Sequence, residues 1–468
     1  MQALDTLEAY FTPFRRNILG IDHHIDTPFG RKPLVYADWT AAGRAYLAIE
    51  KHLQDKILPF FANTHTETTA TGIAMTNAYE SAKATIKRHV NANSGDALLF
   101  CGSGMTAAVT KLQRILGLRF PTRLLDYTGP FCLPEAARPL VLVTHMEHHS
   151  NHMSWLETIA TVEIISPTQY GLPDLDHLES LLRKYHHRKT KIAAITACSN
   201  VTGIETPYHA IATLLHQHDG YCFVDFAASA PYVNIDMHPQ NPQAALDAIY
   251  FSGHKFLGGP GTPGILLFNK QLYKDQTPDQ PGGGTIRYSN PWKEHDYWPD
   301  IETREDGGTP PILQAIKAAA CIRLKEQMGT ANIRQRETEL LETLLPRLAA
   351  LPNITLLEQH NKNRLGIISF VPNPDHHDHS TPAPHDLFVQ TLNDRFGIQA
   401  RGGCSCAGPY GHYLLGIDKH HSHTIRQKLR SGDLNSKPGW VRLSLHPTMT
   451  DNELDYLATA VKKCAQSI

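Results

Sequence analysis

The sequence predicts an α/β fold: a large, mainly parallel-sheet unit followed by a smaller α+β unit at the C-terminal end. Two observations carry this. From Val35 to about Thr309, short apolar runs ("DALLFCGSG", "PLVLVTHMEHHS", "KIAAITACSN", "YCFVDFAASAPY", "AIYFSGHKF") alternate with segments of helical periodicity. Such runs suit strands buried on both faces, whose ends open into polar loops and whose crossovers are helices. After "GGTPP" (Gly307 to Pro311) the texture changes to a long amphipathic helix, three strand-like runs and a last helix.

In the first unit, helices fit "TNAYESAKATIKRHVNA" and "DLDHLESLLRKYHHR". In the second, "PILQAIKAAACIRLKEQMG" reads as helix, "ITLLEQ", "LGIISFVP" and "GWVRLSLHP" as strands, and "TDNELDYLATAVKKCAQ" as a helix capped by Thr450. The expected organisation is an N-terminal segment, 1–34, packing with the small unit, a large unit over 35–310 and a small one over 311–468.

With 468 residues, 41% hydrophobic and 19% charged, the chain is long enough for more than one core. Lys plus Arg number 44 against 45 Asp plus Glu, with no long basic run, so the footprint of a nucleic-acid or anionic-membrane binder is missing and a small, specific ligand is expected. "MQALDTLEAYFTPFRRNILG" lacks the apolar core of a signal peptide, and no stretch of about 18 apolar residues occurs. A cytoplasmic location is the expectation. Eight cysteines, paired in spacing only at Cys404 and Cys406, do not form a disulfide framework. The histidine-rich "PDHHDHSTPAPHD" (Pro374 to Asp386) reads as a solvated loop, and no metal site is expected.

Ligands of open α/β sheets collect beyond the carboxyl ends of the strands. Three such ends matter. Gly102, Ser103 and Gly104 lead from an apolar run into a helix, where free N–H groups and the dipole favour an anion. Asp225 ends another run, where an unpartnered carboxylate is costly. Lys255 follows one helix and one strand later, in "SGHKF". A lysine to carry an aldehyde as a Schiff base, a carboxylate to keep a pyridine nitrogen protonated and an anion cradle together point to pyridoxal phosphate.

Several motifs, in order over Leu34 to the C-terminus, resemble class V, fold-type I pyridoxal-phosphate enzymes, most closely the cysteine desulfurase and selenocysteine lyase branch. "SGHK" resembles the family's lysine motif, which implies Lys255 as the Schiff-base lysine, with Ser252 and His254 as phosphate contacts. "SGMT" resembles the phosphate turn, implying roles for Gly104, the Met105 backbone and Thr106. "MEHHSNHMSW" implies His148 as the imidazole stacked on the cofactor ring, and "SNVTG" places Asn200 beside cofactor or substrate. "REDGGTP" resembles a stretch whose threonine, here Thr309, reaches the phosphate of a neighbouring subunit, implying a homodimer with shared active sites. "RGGCSCAG" aligns Cys406 with the sulfur-accepting cysteine, Cys404 remaining a rival, and "VRLSL" aligns Arg442 with the residue that grips the substrate carboxylate. A guanidinium suits a carboxylate as a bidentate partner; the alternative is a structural acid beside Arg442. Cys198 and Cys222, inside apolar runs, read as small hydrophobes.

Two features depart from the family. Ala228 stands where many desulfurases have a glutamine or histidine donor to the cofactor's phenolic oxygen, leaving Ser229 or water to substitute. The loop "GPYGHYLLGIDKHHSHTI" is longer and more aromatic than the family's. The resemblance implies a desulfurase-like lyase that takes sulfur or selenium from a cysteine-type amino acid through a persulfide on Cys406, releases alanine and hands sulfur to an acceptor protein. A class V aminotransferase, epimerase or other lyase would need Lys255 but not Cys406. A non-enzymatic, metal-binding protein leaves the ordered strand-end motifs unexplained.

Overall fold

The computed structural model describes residues 6–64, 66, 68–129, 133–372 and 384–467. Seven strands form one sheet: β1 (Asp96–Cys101), β2 (Leu140–Thr144), β3 (Thr161–Ile165), β4 (Lys191–Thr196), β5 (Tyr221–Asp225), β6 (Ala248–Ser252) and β7 (Gly264–Asn269). Their order is β1-β7-β6-β5-β4-β2-β3. The pairs among β2 to β6 are parallel, and β7 runs antiparallel to both its neighbours. The chain therefore has the expected α/β architecture with a mainly parallel sheet.

The near-continuous apolar runs have a direct cause, since every residue of β2, β4 and β6 is buried. Alternate side chains feed two different cores. Ile249 and Phe251 of β6 pack on one face with Leu140, Ile195 and Val224; Ala248 and Tyr250 pack on the other with Val141, Ala194 and Phe223. Two strands were not read from the sequence. The edge strand β3 is half-exposed, with Ile164 open to solvent, so its signal is weak. β7 is embedded in a Gly/Pro-rich run that masks it.

The helix Ile312–Met328 packs against Ala70–His89 through Ile312, Ala315, Ala319, Met75, Tyr79 and Ala82. Beyond it a second, antiparallel sheet forms from β8 (Ile354–Leu356), β9 (Ile367–Pro372), β10 (Arg401–Gly403) and β11 (Trp440–Ser444), in the order β8-β9-β11-β10. Its core takes Leu340, Leu344 and Leu348 from the helix Thr330–Ala349 and Leu457 and Val461 from the helix Asp451–Ala465. Val35 and Ala37 also enter this core, and Val35–Tyr36 pairs in parallel with Ile398–Gln399. Arg15, in the first helix, forks onto Glu453 of the last at 2.6 and 2.7 Å.

The long loop expected after Cys406 folds instead into two helices, Gly408–Leu414 and Lys419–Arg430, the second capped by Asp418. Aromatic residues anchor the first of them: Tyr410 and Tyr413 stack at 6.1 Å and both make edge contacts with His145. Most of the histidine-rich segment, residues 373–383, lies outside the described residues. Among the described residues, no helix is long and apolar enough to cross a membrane.

Thr450 caps the last helix as expected, in a reciprocal box: its Oγ1 accepts the Glu453 N–H and Glu453 accepts the Thr450 N–H, both at 3.1 Å. Thr450→Ala should lower unfolding stability by about 1 kcal/mol in a denaturant titration. An unchanged midpoint and slope would show that the box contributes nothing.

Candidate active site

The carboxyl ends of β4, β5 and β6 and the start of the helix Met105–Ile115 surround a cavity of about 260 Å³. Its wall on the other side comes from the second sheet and the cysteine loop, through Arg401, Arg442, Ser405 and Cys406.

Lys255 closes a tight helical turn, Gly253–Lys255, that begins where β6 ends. The turn is compact because Gly259 comes close behind it; a Cβ there would lie 2.2 Å from the Gly253 carbonyl oxygen. Burial pushes the Lys255 amine down to about 8; Asp225 and Asp38 oppose this, while Arg442 and Arg401 add to it. Asp225, 3% exposed at the end of β5, accepts the Ala227 N–H at 2.8 Å. Its carboxyl is pushed up to about 6 by burial, against that hydrogen bond and the pull of Lys255. Burial thus draws both pKa values toward neutral pH, and each charged form gains from an opposite charge placed beside it.

The anion cradle forms at Gly104, whose backbone is extended and which offers no side chain to cap the helix beginning at Met105. A Cβ at Gly104 would sit 3.0 Å from Ser252 Oγ and 3.2 Å from His254 Cε1, so only glycine leaves the space between them. The Met105 N–H donates to Ser252 Oγ at 2.9 Å, which leaves the serine's own proton to point elsewhere. Thr106 Oγ1 donates to Ser150 Oγ at 2.7 Å. His254 Nδ1 lies 3.0 Å from the Ser103 carbonyl oxygen, an acceptor only, so Nδ1 carries a proton and Nε2 is the remaining site. Burial lowers the His254 pKa.

His148 caps the helix His149–Leu156 with its ring: Nδ1 accepts the Ser150 N–H at 3.0 Å, which puts the proton on Nε2. Burial first, then Lys255, His149 and Arg442, hold its pKa down at about 3, so it lines the cavity as a neutral ring. Asn200 donates Nδ2 to the Ser405 carbonyl at 2.8 Å, and its Oδ1 is buried without a partner. The carbonyl partner settles the amide's orientation, so the cavity wall carries a free acceptor.

The cysteine loop is anchored from both sides. His149 N–H donates to the Cys406 carbonyl at 2.7 Å, and Trp440 Nε1 donates to Ser405 Oγ at 3.2 Å. Ser405 and Cys406 both have positive φ, 49° and 55°, which turns the loop so that Cys406 is exposed and lines the cavity. Cys404 instead packs beside Leu414 and Leu415 on an apolar cluster. Cys198 and Cys222 are fully buried, with thiol pKa values pushed well up, Cys198 at the cavity floor.

Arg442, in β11, lines the cavity at 3% exposure. It also has the structural acid weighed from the sequence: Nη2 meets Asp38 Oδ1 at 2.7 Å, and Nη1 donates to the Asn200 carbonyl at 3.0 Å. Ala228 lines the cavity near Asp225, whereas the Ser229 hydroxyl is buried without a partner and does not line it. Of the residues that the family resemblance assigned to cofactor, substrate or catalysis, Thr309 alone does not line the cavity; it is exposed, 3.5 Å from Asn63 Nδ2.

Three contributors escaped the sequence reading. Asp38 and Arg401 pair with each other at 2.9 Å, and the one available signal was a carboxylate directly after the apolar "VYA". Glu147, fully buried, accepts from the Thr144 backbone and hydroxyl, the Thr196 N–H and Asn151, and so ties the ends of β2 and β4 together.

A family model described as aminotransferase class-V matches residues 131–457. A probable cysteine desulfurase of Halalkalibacterium halodurans is 30% identical over 398 residues, covering 83% of this chain and 88% of that protein. One from Staphylococcus epidermidis is 30% identical over 394 residues, covering 83% and 87%. Among solved structures, the apo cysteine desulfurase of Thermococcus onnurineus NA1 superposes with a TM-score of 0.71 at 21% identity, covering 93% of this chain and 95% of that one. An Escherichia coli cysteine desulfurase, solved with an S-sulfonic acid, gives 0.71 at 20% identity, covering 98% and 99%.

The lowered Lys255 pKa has a kinetic signature in the cofactor-free protein. Capture of pyridoxal, trapped with borohydride and located by mass spectrometry, should rise with pH as the neutral amine forms and level off above about 8, not near the ordinary 10.5. A midpoint at the ordinary value would contradict the electrostatic reading. Gly104→Ala should weaken pyridoxal phosphate binding about tenfold, ~1.4 kcal/mol, in an absorbance titration.

Proposed function

Because the chain belongs to the aminotransferase class-V family, we propose that this pyridoxal-phosphate-dependent enzyme is a cysteine desulfurase that removes sulfur, or selenium, from a cysteine-type amino acid and releases alanine. The observation that carries the reading is the presence of an exposed cysteine, Cys406, on the wall of the same cavity as the Lys255 amine and the Asp225 carboxylate.

The residues present fit the cofactor. Lys255 supplies an amine for its aldehyde, Asp225 a carboxylate that gains from a protonated ring nitrogen, and Gly104, Thr106, Ser252 and His254 a pocket for its phosphate that a Cβ at Gly104 would fill. The partnerless Asn200 Oδ1 is an acceptor ready for a donor from cofactor or substrate. When bound, pyridoxal phosphate supplies an electron-accepting ring that takes up negative charge from the substrate's α-carbon.

The chain's own groups do the rest. With its pKa near neutral, Lys255 Nζ can take a proton and return it. His148 lines the cavity as a neutral ring with its proton on Nε2. Arg442 offers guanidinium to the substrate carboxylate. Cys406 Sγ, as the thiolate, attacks the substrate sulfur; the carbon–sulfur bond breaks with its electron pair left on the carbon skeleton, the new sulfur–sulfur bond leaves a persulfide on Cys406, and the β-carbon takes up a proton so that the skeleton departs as alanine. Cys406 suits this better than Cys404 does, because Cys404 is packed away from the cavity.

The exposed Thr309, remote from its own cavity, is consistent with a homodimer in which it completes the partner's site. Free thiols at the described cysteines fit a reducing compartment such as the cytoplasm. The persulfide is the product an acceptor protein would collect.

Protein incubated with cysteine and a reductant should release alanine and sulfide in equal amounts. Lys255→Ala should abolish both. Cys406→Ala should slow sulfide release by about a hundredfold while cysteine still perturbs the cofactor's absorbance, and Cys404→Ala should stay near wild type. Wild-type turnover by Cys406→Ala would redirect the reading to an aminotransferase, epimerase or other lyase.

A further inference from the structure

β10 and β11 are antiparallel neighbours, and their register sets Arg401 directly opposite Arg442. Like charges at opposed positions repel, and here one of them is almost fully buried. The relief comes from a distant part of the chain. Asp38, one residue beyond Ala37 in the stretch Val35–Asp38, is held by a parallel bridge to Ser444 and by the Tyr36 hydroxyl on its carbonyl at 3.2 Å. Its Oδ1 takes Arg442 Nη2 at 2.7 Å; its Oδ2 takes Arg401 Nη2 at 2.9 Å and Nε at 3.1 Å.

Both arginines line the cavity, and Asp38 stands behind them. The three groups together carry one positive charge, where the arginines alone would carry two. One buried donor of the set, Arg442 Nε, has no partner. At the arginine pair, an entering carboxylate therefore meets one net positive charge, which balances one carboxylate and no second.

We propose that Asp38 is a specificity-determining positioning residue, which sets the charge of the arginine pair so that the cavity accepts an amino acid with a single carboxylate and a neutral side chain and discriminates against dicarboxylic ones. This rests on the reading of the cavity as an amino-acid site. Asp38 acts through Arg401 and Arg442 and does not touch the substrate. Replacing it by a neutral isostere removes the countercharge and leaves two guanidiniums facing the ligand, which favours a second negative charge. Replacing it by glutamate retains the countercharge.

The test uses the cofactor-loaded enzyme and the absorbance change on titration with L-alanine and L-aspartate, neither of which carries a sulfur to transfer. Wild type should bind alanine at least tenfold more tightly than aspartate. Asp38→Asn should shift that ratio about tenfold toward aspartate, and Asp38→Glu should keep it near wild type. The double variant D38N/R401Q, which returns the charge to one, should restore the wild-type preference. A purely structural role would weaken both ligands alike and leave the ratio unmoved, which overturns the proposal, as does a double variant no different from the single. Should Asp38→Asn not fold, Arg401→Gln alone removes the net charge and must weaken alanine binding at least tenfold; unchanged binding overturns the proposal. A wild-type enzyme whose spectrum responds to no amino acid, cysteine included, overturns the amino-acid reading of the cavity itself.

Discussion

Burial of both faces of the seven-stranded sheet is the constraint on which the rest depends. With β2, β4 and β6 buried along their whole length, no charged side chain can sit within them without losing its hydration. Polar chemistry is displaced to the strand ends, where Asp225 ends β5 and Lys255 follows β6, its parallel neighbour. The same burial tunes these groups: it raises the carboxyl to about 6 and lowers the amine to about 8. A site able to exchange protons near neutrality thus follows from how the sheet is covered.

The second sheet completes the cavity and brings an electrostatic problem with it. Cross-strand register pairs Arg401 with Arg442, and the stretch Val35–Asp38 supplies Asp38 between them. That segment also sends Val35 and Ala37 into the second core. Packing and charge balance are therefore linked, because the residues that fix the backbone of the segment also fix the carboxylate that neutralises the arginines. The cysteine loop depends on both halves of the molecule, through Asn200 and His149 on one side and Trp440 on the other.

Local patterns made much of this legible in the sequence. Five of the seven strands of the large sheet are runs with an apolar middle and small or polar residues at their ends, and such runs have few alternatives to a doubly covered strand. Gly104 at the strand–helix turn, the aspartate at a strand end and the lysine after the next strand are local features too, and the cavity gathers these three. Thr450 announced its helix because capping is decided within four residues. The helix Gly408–Leu414 after Cys406 escapes such local patterns for the opposite reason: its Tyr410 and Tyr413 meet His145, far away in sequence.

By itself, then, the sequence determined the alternation of strands and helices, the strand-end set of Gly104, Asp225 and Lys255, and an accessible cysteine in a glycine-rich loop, because each is written in residues close together along the chain. The tertiary structure alone decided that Cys406, not Cys404, lines the cavity, that Arg442 is already partnered, and that Asp38 stands between two arginines. Those outcomes depend on backbone torsions, on cross-strand register and on a contact between residues 38, 401 and 442, and no local pattern of residue types encodes a distance of that kind.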